Sequence, residues 1–318
     1  MTLVSNEHVN EQNRFPQICE EERGNAFKRK FREKLLETFK FTIQFLDSHN
    51  LRWFAGSGTA IGAVRHKGMI PWDDDVDLLM PREDYNRLIS IRKELYSTDY
   101  RFISVETDGK YYLPFAKIYD ANTSLWEWEQ IPCVIGVYVD IFPMELSNAG
   151  TDALYDAKYQ EYFRKLQQYQ YSVSQYSLKK MFSLWRQGKG AEAKDQLRFF
   201  AYNLGRSYFH RQFARANQLF ACKDGSCYVS TGSRNGRKQI YDKAWFDDYK
   251  MVPFEDFEVR VASGNHEYLS LLYGDYMQLP PENQRECHDQ IRYYCNLCEG
   301  LSLRQVKKRI KDGEHLVF

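Results

Sequence analysis

Four aspartates fall within five residues, at Asp73, Asp74, Asp75 and Asp77, beside the apolar positions Val76, Leu78, Leu79 and Met80. Carboxylates crowded this closely repel one another and are tolerated only in water or beside a cation. A plain solvated acidic loop meets the first condition. Here the run leads straight into Val76 to Met80, which reads as a buried strand, so part of it is anchored in a fold. In an extended chain alternate side chains share a face. That places Asp73, Asp75 and Asp77 together and turns Asp74 away. Oxygen-only donors suit Mg²⁺ or Mn²⁺, ions that often also bind substrate phosphates.

Other charged and small residues cluster around this run. Leu51 to Ala55 reads as a short strand, and Gly56-Ser57-Gly58-Thr59 follows it and opens a helix. Such a turn offers N–H groups and a helix dipole to an anion, with Ser57 or Thr59 as a cap or phosphate donor. The spacing of Gly56, Gly58 and Gly62 misses the dinucleotide fingerprint, and no Walker A loop is present. Arg65, His66 and Lys67 come next, either as phosphate ligands or as partners of the aspartates, and Arg65 is the best phosphate candidate because a guanidinium binds in a fork. Asp140 stands alone inside Val137-Tyr138-Val139-Asp140-Ile141-Phe142, where a carboxylate is costly unless paired or coordinated. It is the candidate third acid, with a structural turn-capping Asp as the alternative. Lys117, inside Phe115-Ala116-Lys117-Ile118, either reaches a phosphate or points to water from an edge.

The rest of the chain supplies a frame. Residues 1–20 read as a flexible lead-in. Glu21 to His49 reads as a helix, because Phe27, Phe31, Leu35, Phe39, Ile43 and Leu46 recur at spacings of three and four. Helical and strand patterns alternate through about residue 149, which predicts a mixed α/β unit over 21–149. Residues 150–225 read as a helical insertion rich in Tyr, Phe and Gln. Between 151 and 220 the 12 Lys and Arg outnumber the 5 Asp and Glu, a balance of +7. This is either a solvated basic face or a platform for an anionic acceptor or a membrane surface. Strand patterns return over 226–318, the part expected to complete the first unit.

Composition limits the options. Lys and Arg total 44 against 43 Asp and Glu, so bulk charge does not point to nucleic acid. No apolar run approaches about 18 residues, so no transmembrane helix is expected. Met1 to Asn13 lacks a signal-peptide pattern, which predicts a cytoplasmic protein, at most touching the inner face of the membrane. The seven cysteines suggest free thiols rather than a disulfide frame. Cys287-His288 with Cys295-x-x-Cys298 raises zinc, but thiols on a helix are favoured, since structural zinc sites show two clean ligand pairs.

The stretch from Gly56 to Asp77, and above all Pro71-Trp72-Asp73-Asp74-Asp75-Val76-Asp77, resembles the LicD family signature. Val139-Asp140-Ile141-Phe142-Pro143 resembles that family's later acidic strand. Tyr268-Leu269, Tyr273-Gly274-Asp275-Tyr276-Met277 and Leu279-Pro280-Pro281 resemble its C-terminal signature. The likeness spans about 50–143 and, less closely, about 229–290. Ala60-Ile61 and Met69 depart from the usual residues without touching the acids.

The resemblance implies an α/β (α+β) fold of the nucleotidyltransferase, polymerase-β-like type: a mixed sheet flanked by helices, with a helical insertion. It also implies transfer of a phospho-alcohol, typically phosphocholine, from a CDP-alcohol donor such as CDP-choline to a hydroxyl of a glycan acceptor, lipid-linked or free, with CMP released. Matched residue by residue, Asp75, Asp77 and Asp140 are the catalytic and metal-binding acids for Mg²⁺ or Mn²⁺. Gly56, Ser57, Thr59, Arg65, Lys67, Trp72 and Lys117 are the expected substrate-binding residues, with Trp72 stacking on a base or enclosing a cation. Nucleotidyl transfer releasing pyrophosphate, and a non-catalytic glycan- or membrane-docking adaptor, are the competing readings.

Overall fold

The computed structural model describes residues 21–285 and 293–318. The lead-in over 1–20 lies outside them, as do Cys19, Cys287 and His288 of the proposed thiol and zinc readings. The first helix, α1 (Glu21–Ser48), is 28 residues and about 42 Å long. Phe27, Phe31, Leu35, Phe39, Ile43 and Leu46 all lie buried along one stripe of it, as their spacing requires.

The elements that follow are β1 (Phe54–Ala55), α2 (Ser57–Ile61), β2 (Asp77–Pro81), α3 (Arg82–Ile91), β3 (Tyr100–Ile103), β4 (Ala116–Asp120), β5 (Ser124–Trp126) and β6 (Tyr138–Ser147). Four helices then run in succession: α4 (Tyr155–Val173), α5 (Leu178–Arg186), α6 (Gly190–Leu204) and α7 (Arg206–Ala216). The chain closes with β7 (Cys227–Ser230), β8 (Ile240–Asp242), β9 (Tyr249–Phe254), β10 (Phe257–Ala262), α8 (Asn265–Tyr273), β11 (Tyr294–Asn296), α9 (Leu303–Lys311) and β12 (Leu316–Val317).

The main sheet has seven strands, with the path β1-β2-β6-β4-β3. Strand β6 is its axis. It runs parallel to β2 along one edge and takes two antiparallel partners along the other, β4 over Tyr138–Ile141 and β7 over Met144–Ser147. Its alternation explains the sequence pattern: Val139 and Ile141 are fully buried in the core that α1 covers, and Asp140 lies between them on the other face. The sheet is mixed, and with its helices the chain is an α/β protein.

The basic stretch is helical, as its pattern predicts, but it is not a loose appendage. Tyr155, Tyr159, Tyr162, Leu166, Tyr169 and Val173 of α4 share a second buried core with Tyr111, Phe115 and Val229. Tyr169 Oη donates to the carbonyl of Tyr111 at 2.7 Å, and Gln170 Nε2 to that of Tyr112 at 3.2 Å. The inner face of α4 thus fixes a segment that approaches the acidic row described next. Strand β7 joins the sheet of the first unit through β6.

Candidate active site

The expectation that Val76 opens the second strand is off by one residue, since β2 begins at Asp77. Asp77 is the in-register partner of Asp140 on β6, and Asp140 in turn is the partner of Lys117 on β4. In-register side chains of neighbouring strands project to the same face. Gly56 extends the row, because its N–H donates to the Asp77 carbonyl at 2.9 Å. Four residues far apart in sequence therefore form one line across the sheet: Gly56, Asp77, Asp140 and Lys117.

Burial, then the nearby Asp75, Asp140 and Asp73, hold the Asp77 carboxyl well above the ordinary carboxylate range. Asp140 is also raised, mainly by burial, against the opposing pull of Lys117. Asp75 adds to the negative field at both, so these three acids converge. Residues 73–76 precede the strand, yet Asp73 still reaches the same region. A Cβ on Gly58 would lie 2.5 Å from Asp73 Oδ2, so only glycine lets that carboxylate approach the start of α2. Asp74 is buried.

Lys117 is almost fully buried, with side-chain exposure of 2%. Its Nζ sits 2.7 Å from Asp140 Oδ1 and lies over the Tyr138 ring. The edge lysine pointing to water is thus excluded. Asp140 is a paired acid in a sheet rather than the cap of a turn. Glu127 lies beyond this pair and accepts from the hydroxyls of Tyr112 and Tyr138.

Several expected anion-binding groups carry structural bonds instead. The Ser57 N–H donates to Tyr268 Oη at 2.9 Å, and Thr59 Oγ1 accepts from the Asp77 N–H at 2.9 Å. With the Gly56 N–H on Asp77, the first two N–H groups of the turn are used inside the protein, where they hold α2 against the acidic row. Arg65 donates to the carbonyls of Tyr276 and Gln278, at 2.5 and 3.2 Å, and burial lowers its pKa. It ties the segment after α2 to the C-terminal signature. Lys67 has φ of +56° and an exposed side chain, and its carbonyl accepts from the Glu255 N–H. Trp72 is half-buried between the Arg285 guanidinium, 4.8 Å away, and the His66 ring at 6.0 Å.

Two tyrosines of α8 complete the site without having been singled out as site residues. Tyr268 is buried and caps the Ser57 N–H. Tyr273 is partly exposed, and its hydroxyl pKa is pushed up to about 12 by burial, against a hydrogen bond from Ser57, with Asp77, Asp73 and Asp75 adding to the rise. Their place in the C-terminal signature was the one signal for them; their partners are more than 200 positions away.

The donor set of Asp75, Asp77 and Asp140 is all oxygen and electrostatically crowded, which fits a hard divalent cation in kind and charge. Among the described residues, no group of three or more His, Cys, Asp or Glu side chains is arranged so that it could hold a metal ion. Cys295 is buried in β11, a strand rather than the expected helix, and Cys298 beyond it is exposed.

The site thus belongs to an α/β domain whose mixed sheet brings acids from two parallel strands together beside a Gly-Ser turn. Residues 50–169 match the LicD/FKTN/FKRP nucleotidyltransferase domain. The chain is 27% identical over 246 residues to the lipopolysaccharide cholinephosphotransferase LicD of Haemophilus influenzae, covering 76% of this chain and 88% of that one. An uncharacterized protein of Rickettsia typhi is 37% identical over 67 residues, 21% of this chain and 22% of its own. Human ribitol 5-phosphate transferase FKRP is 36% identical over 58 residues, 18% of this chain and 12% of its own. No helix among the described residues is long and apolar enough to cross a membrane.

Proposed function

We propose that the chain is a metal-dependent phosphotransferase that moves a phospho-alcohol, most simply phosphocholine, from a CDP-activated donor to a hydroxyl of a cell-surface glycan or its precursor, with release of CMP. The observation that carries this reading is the in-register pairing of Asp77 with Asp140, joined by Asp75. Two relatives named for the transfer of phospho-alcohols, a cholinephosphotransferase and a ribitol 5-phosphate transferase, support the reaction class. The extensive match to the former supports phosphocholine.

In this proposal residues 21–149 and 226–318 build a nucleotidyltransferase-like catalytic unit, and 150–225 is inserted into it. Asp75, Asp77 and Asp140 hold Mg²⁺ or Mn²⁺, which when bound neutralises charge on the diphosphate and the leaving CMP. Asp140 accepts the proton of the acceptor hydroxyl. Lys117 orients Asp140 and balances its charge. Tyr268 and Thr59 fix the turn and strand that carry the acids. Lys67 and Trp72 lie on the segment between turn and acids and are assigned to donor phosphate and base, and Arg65 shapes that segment from behind.

The test is incubation of the full chain with Mg²⁺ and a panel of CDP-alcohols. CMP release, fastest with CDP-choline, is the expected result. Pyrophosphate release from a nucleoside triphosphate would instead establish nucleotidyl transfer, and no turnover with any donor, together with no Mg²⁺ or Mn²⁺ binding, would leave an adaptor.

A further inference from the structure

We propose that the outward face of α5 is a docking surface for an anionic lipid membrane. Leu178, Phe182 and Trp185 sit at i, i+4 and i+7 and so share one side of the helix. They are 46%, 55% and 70% exposed, and Tyr176, just before the helix, is 43% exposed. Leu184 is buried and holds the opposite side of the helix against the protein. Single exposed apolar residues are ordinary, but three large ones aligned on one short helix mark a surface that meets something apolar.

The charges around this face select the occupant. Residues 174–190 contain Lys179, Lys180, Arg186 and Lys189 and no acid. Lys180 has a partner, Glu129, at 3.4 Å. Helix α9 adds Arg304, Lys307, Lys308, Arg309 and Lys311, again without an acid, although Arg309 is paired with Glu299 and Glu314. Lys307 hydrogen-bonds the Gln175 side chain, so α9 lies beside the start of α5. The whole chain balances to +1, so these cations are a local concentration rather than an overall bias. A face of large apolar side chains flanked by lysine and arginine suits the boundary between anionic headgroups and acyl chains, where tryptophan is also favoured. A second copy of the same face would set cation against cation. The helix is formed before docking: the Lys180 N–H donates to the Ser177 cap at 3.2 Å, so binding carries no cost of folding.

The experiment is co-sedimentation of the full chain with vesicles of phosphatidylcholine alone or mixed with phosphatidylglycerol. The full chain should partition onto the anionic vesicles, less so as salt is raised, and only weakly onto the neutral ones. The pair Phe182→Ser with Trp185→Ser, and separately Lys179→Gln with Arg186→Gln and Lys189→Gln, should each lower partitioning by about tenfold or more. Lys179, Phe182, Trp185 and Arg186 are exposed and Lys189 is half-buried, and an unchanged thermal midpoint checks that each variant folds. Partitioning equal to that of the unaltered chain in either variant, or none by the unaltered chain, overturns the proposal. So does sedimentation equilibrium in which the apolar pair of changes turns a dimer into a monomer while vesicle binding is unaltered.

Discussion

Asp77 and Asp140, 63 positions apart in sequence, are direct register partners on the parallel strands β2 and β6. The pairing brings two carboxylates side by side in a buried row; burial, then Asp75 and Asp140, raises Asp77 above the ordinary carboxylate range, and burial, with Glu127 and Asp75, raises Asp140 against the pull of Lys117. Such an arrangement opposes folding unless a cation serves it, and it frames the first expectation.

Asp77→Asn, and separately Asp75→Asn, should lower CMP release by about 10²-fold or more while leaving the fold intact, because each removes a donor without changing volume. Treatment with EDTA should abolish turnover, and Mg²⁺ or Mn²⁺ should restore it. Steady-state kinetics with circular dichroism of each variant provides the check. Full activity in either variant would remove that acid from the site.

Lys117→Met strands the buried Asp140 without its cation. The loss should be about 3–5 kcal/mol, read from urea unfolding. Adding Asp140→Asn to Lys117→Met should recover much of that stability but no activity. A double-mutant cycle with no coupling between the two positions would mean that the 2.7 Å pair contributes nothing to stability.

Tyr268→Phe deletes the acceptor of the Ser57 N–H. An unsatisfied buried N–H costs about 1–3 kcal/mol. Since Ser57 has φ of +41°, the loss should also loosen the turn beside Asp77. Activity should therefore fall more than the stability change alone explains, at a temperature where the variant is fully folded. An unaltered kcat would detach Tyr268 from the site.

His49 provides a pH test far from the acids. One ring nitrogen faces the Phe45 carbonyl at 2.8 Å and the other Glu94 at 2.9 Å. Both favour the doubly protonated ring, and the Phe45 carbonyl is the larger cause of its raised pKa. With a native pKa above the unfolded one, the stabilisation is complete below about pH 6.5 and is lost as pH rises through the native pKa. The midpoint difference between the natural chain and His49→Gln should thus be largest near pH 5.5 and vanish on the alkaline side. A difference that grows with pH would contradict the assignment.

Much of this was legible in the chain itself. The Phe and Leu spacing of α1 defines its buried stripe, since helical periodicity is local. The lone charges at 117 and 140 stand out because an apolar strand tolerates a charge only at a price. The cluster of acids at 73–77 was visible as a cluster, and Asp75 does act on Asp77. The partners of the polar groups were less legible. Gly56, Ser57, Thr59 and Arg65 look like anion ligands by type, but the structure gives them the Asp77 carbonyl, Tyr268, the Asp77 N–H and the carbonyls at 276 and 278 as partners. Hydrogen-bonding capacity is a property of the residue, whereas its use depends on what folding brings near.

The sequence by itself determined which residues carry charge, which segments alternate and where the acids cluster, because composition and short-range period are encoded locally. Only the tertiary structure decided that Asp140 lies opposite both Asp77 and Lys117, that α8 closes the turn, and that α5 leaves its apolar face exposed. Strand register and helix docking are set by contacts between segments tens to hundreds of residues apart, and no local pattern fixes them.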